Sequence, residues 1–168
     1  NPASRGHSGQ IKKAVDVLLA AKKPIIYSGG GVNQGGGSEL LTALVDKLGY
    51  PVTSTLMGLG AFSSQEKFCL DMLGMHGAVY ANKAIRDCDL LLALGVRFDD
   101  RVTGKLEEFA RNAKIVHIDI DASELNKNKP THIPIVSDVK YALEELLSLV
   151  EPCEGIEPWQ QQCREWKE

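Results

Sequence analysis

The sequence predicts an α/β fold, a doubly wound parallel sheet of five or six strands flanked by helices, and three observations predict it. Helical and extended patterns alternate along the whole chain. The run Leu90-Leu91-Leu92-Ala93-Leu94 is apolar at every position, as in a central parallel strand covered by helices on both faces. The strand-like segments end in loops rich in glycine or in charge, where such sheets bind their ligands.

The elements follow in order. Ile11, Ala14, Val15 and Leu18 share one face of a helix over Gln10 to Lys22, with Ser8 as its candidate N-cap. Pro24-Ile25-Ile26-Tyr27-Ser28 reads as a short buried strand broken by Gly29-Gly30-Gly31. Leu40, Leu41, Leu44, Val45 and Leu48 predict a second helix from Ser38, closed by Gly49 at the position after its end. Pro51 to Thr55 is the next strand, Gly77 to Cys88 a third helix, and Asp89 to Leu94 the apolar strand. Lys105 to Arg111 reads as a short helix and Lys114 to Asp119 as a strand. Ile133-Pro134-Ile135-Val136 is a strand that its proline pushes to a sheet edge. A final amphipathic helix spans Asp138 to Val150, with Asp138 its natural N-cap. Pro152 to Pro158 reads as linker and Trp159 onward as a polar tail, so the domain is expected over 1–151 and a connection over 152–168.

At 168 residues the chain fits one domain with a single core, and its composition is that of a soluble globular protein. A net charge of −3 leaves no basic footprint for nucleic acid. No apolar run approaches the length that spans a membrane. Cys69, Cys88, Cys153 and Cys163 lack C-x-x-C spacing, which predicts neither zinc nor a disulfide framework and fits a cytoplasmic or organelle-matrix protein. The chain begins at Asn1 without methionine and stops at Glu168 in a polar stretch, as expected of a piece of a longer polypeptide.

Function must be sought at the strand ends. The triple glycine lets backbone amides approach a pyrophosphate, or simply makes a tight turn. It does not complete the G-x-G-x-x-G fingerprint, because the third glycine would fall on Gln34, and no acid for a ribose follows Thr53-Ser54-Thr55. An ordinary NAD-dependent dehydrogenase is therefore disfavoured. Paired cysteines for a sirtuin-like zinc ribbon are absent. Thr55-Leu56-Met57-Gly58-Leu59-Gly60 and Leu73-Gly74-Met75-His76-Gly77 read as walls of a flat apolar pocket. Gly95-Val96-Arg97-Phe98-Asp99-Asp100-Arg101 is the most telling loop, because guanidinium groups at a strand's carboxyl end suit bidentate phosphate or carboxylate binding. Asp119-Ile120-Asp121 offers carboxylates to a ribose; as a metal site it lacks the further oxygen ligands it would need.

Taken together, the stretches Ser54 to Gly60, Met72 to Gly77, Gly95 to Arg101 and His117 to Asp121 resemble the acetolactate (acetohydroxyacid) synthase family. The resemblance covers the chain from Asn1 to about Val150, and GVRFDDR and LGMHG are its specific parts. It implies the middle, FAD-binding domain of a three-domain subunit, with a fold like the NAD/FAD-binding domains of the deoxyhypusine synthase type. The outer domains would bind thiamine diphosphate and magnesium across a dimer interface. The whole subunit would join two 2-ketoacids with loss of carbon dioxide, in branched-chain amino-acid synthesis. It would form a homodimer or homotetramer, with a regulatory small subunit. It would be cytoplasmic, or plastid or mitochondrial in a eukaryote.

By motif position the resemblance implies FAD contacts at Gly30, Thr55, Leu56, Leu73, Gly74, Met75, His76, Gly95, Val96, Arg97, Phe98, Asp99, Asp119, Ile120, Asp138 and Val139. Asp100 and Arg101 resemble residues bordering the substrate and inhibitor channel. The family's activating glutamate and its GDG-type metal motif belong to neighbouring domains and are absent here, so the fragment is expected to be inactive alone. Gln34-Gly35-Gly36-Gly37 is unusually glycine-rich for the family. The middle domain of a pyruvate oxidase or another thiamine-dependent carboligase, and a stand-alone nucleotide-binding module, are the alternatives.

Overall fold

Apolar strands alternating with one-sided helices leave the backbone few ways to bury both kinds of surface, and a layered sheet is the usual solution. The computed structural model describes residues 7–34, 36–58, 60–63, 68–72, 79–98, 109–125, 131–152 and 155–168. Its helices are α1 (Ser8–Ala20), α2 (Gly30–Gln34), α3 (Ser38–Leu48), α4 (Val79–Asp87), α5 (Val139–Leu149) and α6 (Glu157–Lys167). Its strands are β1 (Pro24–Ser28), β2 (Val52–Ser54), β3 (Cys69–Met72), β4 (Leu90–Leu94), β5 (Lys114–Asp119) and β6 (Ile133–Val136). The sheet runs β3-β2-β1-β4-β5-β6 and every pairing is parallel.

Alternate residues of each strand feed two cores. Ile26, Leu90, Leu92, Leu94, Val116 and Ile118 face α1, α3 and α5 on one side. Ile25, Tyr27, Leu91, Ala93 and Ile115 face α4 and α6 on the other. All five residues of β4 are buried and the strand sits at the sheet's centre, as its unbroken apolar run predicts. Pro134 places β6 at one edge, where its missing N–H costs no ladder bond.

Several local expectations shift. His7, not Ser8, caps α1, its Nδ1 accepting from Gly9 N at 3.1 Å. Gly49 ends α3 with φ at 73°, as expected of a glycine there. Asp138 caps α5 by accepting from Lys140 N at 2.9 Å. β3 was not legible as a strand, because Asp71 interrupts its four residues and no alternation develops. Of the helix expected over Lys105 to Arg111, residues 105–108 lie outside the described set, and Phe109 to Asn112 form turns.

The largest correction concerns the chain's end. The segment expected to be a polar tail is helix α6, which packs onto the α4 face. Its apolar positions are too sparse to stand out, but Trp159 and Cys163 are buried. Trp159 Nε1 donates to Pro24 O at 2.8 Å, Gln160 Nε2 to Gly49 O at 2.8 Å, and Lys167 Nζ to Cys69 O at 2.6 Å. One helix thus ties down the chain at the entrance to β1, before β2, and at the start of β3. Pro158 in its first turn is pre-set for helix, and Trp166 meets Trp159 edge-on at 5.8 Å.

Trp159→Ala therefore removes a buried aromatic and a buried donor together, and is expected to cost about 3–5 kcal/mol in urea unfolding. A loss below about 1 kcal/mol would show that α6 is peripheral to the fold.

Candidate functional site

In a sheet whose strands are all parallel, every carboxyl end lies on one edge. Order 3-2-1-4-5-6 places the reversal of strand order between β1 and β4. The connection after β1 runs to α3 on one face, while Phe98 and Phe109, after β4, pack on the other. The two chains part at this point and leave a crevice between them.

Glycines fix the crevice's base. Gly29 N donates to Leu94 O at 2.9 Å and Gly31 N to Gly95 O at 3.1 Å, extending the β1/β4 ladder beyond the strands. A Cβ on Gly31 would lie 2.7 Å from Gly95 Cα, and one on Gly95 would lie 2.5 Å from Gly31 Cα. Gly95 also has φ at 59°. Gly29, Gly31 and Gly95 are thus required by backbone contact, whichever ligand is bound. Gly30 points elsewhere, towards Met57, whose Cβ would stand 3.1 Å from an added Cβ.

The loop after β2 is locked to β1. Thr55 N donates to Ser28 O at 3.0 Å, and Thr55 Oγ1 accepts from Gly58 N at 3.2 Å. This turn holds Leu56 to Gly58 in a 3-10 helix and presents Met57, 69% exposed, at the sheet's carboxyl edge.

The loop after β4 sorts its side chains by direction. Val96 and Phe98 are buried, whereas the Arg97 side chain is 73% exposed. Phe98 fits over the small Ala93 among Tyr27, Phe109 and His117, at 6.1, 5.7 and 5.0 Å between ring centres. Arg97 Nε pairs with Glu124 Oε1 at 3.1 Å. Two acids of the strand-end loops, Asp99 and Asp119, are the sequence's candidates for orienting Arg97. Asp99 lies outside the described residues, and the partner found is Glu124, in the 3-10 turn after β5.

Asp119 is mostly buried, at 8% exposure. Its Oδ1 accepts from Asp121 N at 2.9 Å, and burial pushes its carboxyl above the ordinary carboxylate range. Ile120 beside it is 55% exposed. Asp138 caps α5, and Val139 is buried in the core. The sheet thus gathers Gly30, Thr55, Gly95 to Phe98, Asp119, Ile120 and Asp138 along one edge. The side chains of Val96, Phe98 and Val139 are spent on packing, so any ligand contact there is through backbone. Nothing is described of the Leu56 side chain, and Leu73, Gly74, Met75, His76, Asp99, Asp100 and Arg101 lie outside the described residues.

Two residues were missed in the sequence. Glu124 gave no signal, since its partner is distant along the chain. His117 did give one, an imidazole between the apolar Val116 and Ile118. It is fully buried, and its Nε2 lies 3.0 Å from Val96 O and 4.0 Å from Asp119 Oδ2. Nδ1 has no hydrogen-bond partner among the described residues, and neither has the buried Ser28 Oγ.

Burial lowers the pKa of His117, against smaller opposing effects of Val96 O and Glu124. Between the lowered folded value and the ordinary value of about 6.5, the unfolded chain binds a proton that the fold refuses. Stability should therefore fall as pH drops through that window, with no His117 effect above it. Asp119, shifted upwards, acts oppositely at lower pH, where the fold holds the proton more tightly than the unfolded chain. The urea midpoint of the wild type should fall between pH 7 and pH 5 more steeply than that of His117→Gln. Equal slopes would remove His117 from the account.

Residues 11–146 match the family model described as the thiamine pyrophosphate enzyme central domain. The acetolactate synthase large subunit of Haemophilus influenzae is 50% identical over 173 residues, covering 99% of this chain and 30% of the relative. Acetolactate synthase 1, chloroplastic, of Nicotiana tabacum is 52% identical over 162 residues, covering 94% and 24%. The isozyme 3 large subunit of Escherichia coli is 43% identical over 173 residues, covering 99% and 30%. The chain thus spans less than a third of the length of these relatives. It belongs to the family of thiamine pyrophosphate enzyme central domains, and it is similar over nearly its whole length to part of these acetolactate synthases.

Proposed function

We propose that this domain binds FAD along the carboxyl edge of its sheet, as the central domain of an acetolactate synthase catalytic subunit. The supporting observation is Arg97, a guanidinium presented to solvent by a buried loop at the point where strand order reverses. The surrounding chemistry fits the group. An elongated dinucleotide has an anionic middle for a cation and flat apolar ends for the exposed Met57 and Ile120. Arg97 would hold an anionic or carbonyl-bearing part of FAD. Gly30 would allow close approach, and the free side of Asp119 would accept a ribose hydroxyl. Thr55, Leu56, Leu73 to His76, Gly95, Val96, Phe98, Asp99, Ile120, Asp138 and Val139 would complete the contacts. Asp100 and Arg101 would border the substrate channel.

FAD undergoes no net oxidation or reduction in this reading, and its part is structural. The whole subunit would join two 2-ketoacids with loss of carbon dioxide, using thiamine diphosphate and magnesium held by its other domains. The short span against the relatives, and the words large subunit in their names, support flanking domains and a small-subunit partner. A homodimer or homotetramer in the cytoplasm, or in a plastid, completes the proposal; two tobacco relatives are named chloroplastic.

Arg97→Ala should weaken FAD binding by about 1.5–3 kcal/mol, the size of a hydrogen bond to a charged group. Arg97→Lys should restore only part, because an ammonium lacks the planar fork. Apo stability should change by less than about 1 kcal/mol, since the lost ion pair is solvent-exposed on the arginine side. Unchanged FAD affinity in folded Arg97→Ala protein would refute the site.

Purified alone, the chain should form no acetolactate from pyruvate when thiamine diphosphate, magnesium and FAD are supplied. It should also bind FAD weakly, because neighbouring domains would supply apolar cover worth about 25 cal/mol per Å². Measurable turnover, or stoichiometric FAD retained through purification, would contradict this division of labour.

A further inference from the structure

His117 has no role in the contacts proposed above, yet it occupies a costly position. A fully buried imidazole gives up its hydration, and an aliphatic residue would fill a strand position next to Val116 and Ile118 without that penalty. Its place in the sheet shows what it does instead. His117 pairs with Ala93 of β4, which pairs with Tyr27 of β1, so the three stand in a row across one face. The small middle residue leaves room for Phe98 to fold back between the two rings. The His117 Nε2–H is then aimed at Val96 O, 3.0 Å away.

A carbonyl oxygen can only accept, so Nε2 carries a proton; burial disfavours the doubly protonated ring, which leaves Nδ1 bare, in keeping with its having no hydrogen-bond partner among the described residues. Two further anchors of the loop are main chain to main chain: Gly95 N to Ile118 O at 2.8 Å, and Gly31 N to Gly95 O at 3.1 Å. Both act at Gly95. His117 acts one residue further along, on the peptide that leads into Arg97. Glu124, carried by the turn that follows the same strand, holds the arginine's side chain.

We infer that His117 is a positioning residue, which holds the Val96 carbonyl and backs the Phe98 ring so that the loop delivers Arg97 to the ligand crevice in one pose. This rests on the FAD reading given above and adds to it the part of β5 that sets the arginine's approach. His117 itself touches no ligand. Its effect on binding must therefore pass through the loop it holds, whose one described side chain in solvent is Arg97, and that gives the test its discriminating power.

The experiment uses the full-length polypeptide that contains this domain, with FAD affinity read by flavin fluorescence and apo stability by thermal unfolding. His117→Phe keeps a ring against Phe98 and deletes the donor; His117→Gln keeps an N–H. The expected result is that His117→Phe weakens FAD by about tenfold, as for loss of one buried hydrogen bond, and that His117→Gln recovers most of this. Arg97→Ala should cost markedly less in the His117→Phe background than in the wild type, because the arginine is already misplaced there.

Should His117→Phe fail to fold, selective ¹⁵N-histidine labelling of the wild type decides: the inference requires a neutral ring protonated at Nε2, and an Nδ1–H ring overturns it. It is equally overturned if both variants bind FAD within about twofold of wild type, or if Arg97→Ala costs the same in both backgrounds. A wild type that binds no FAD, or an Arg97→Ala protein that binds it normally, would instead bring down the FAD reading itself, and the inference with it.

Discussion

Two backbones meet where the loops after β1 and β4 leave the sheet, and the candidate site is arranged around that meeting. Gly31 and Gly95 approach so closely that neither has room for a Cβ, and their N–H···O bond prolongs the ladder past the last strand residues. Gly29 is pressed against Val96 Cα in the same way, and Gly58 against Gly29 Cα, at 2.7 and 2.9 Å from an added Cβ. Three loops are therefore joined main chain to main chain, without side chains between them. A ligand edge built this way has a rigid floor, since no rotamer can loosen it.

The residues above that floor divide into those that build and those that face outward. Val96 and Phe98 anchor the arginine loop in the core, which leaves Arg97 as its one described side chain in solvent. Asp119 also serves the fold itself. It is mostly buried and turned to Asp121 N, so its carboxylate shapes the β5 turn as much as it offers an acceptor. Buried polar groups of this kind cost stability unless they are satisfied. Their presence beneath an exposed cation marks the place where the fold gives up apolar packing for a defined geometry.

The far edge of the sheet is closed by a different device. Helix α6 touches the carbonyls of Pro24, Gly49 and Cys69 through three side chains. It thus fixes the starts of β1 and β3 and the approach to β2.

Much of the fold was legible in local pattern. The apolar run Leu90 to Leu94 required a doubly covered strand, Pro134 required an edge, and Gly49 and Asp138 marked helix ends, because each of these depends on a few neighbours in sequence. The strand-end loops also identified the family, since their unusual residues are contiguous along the chain. What only the tertiary structure decided was pairing at a distance. Glu124 rather than Asp119 meets Arg97, His117 meets Val96 O, and Trp159 meets Pro24 O. Periodicity carries no information on which strand lies next to which. These partners become neighbours only once the order β1-β4-β5 is set and α6 has folded back across the sheet.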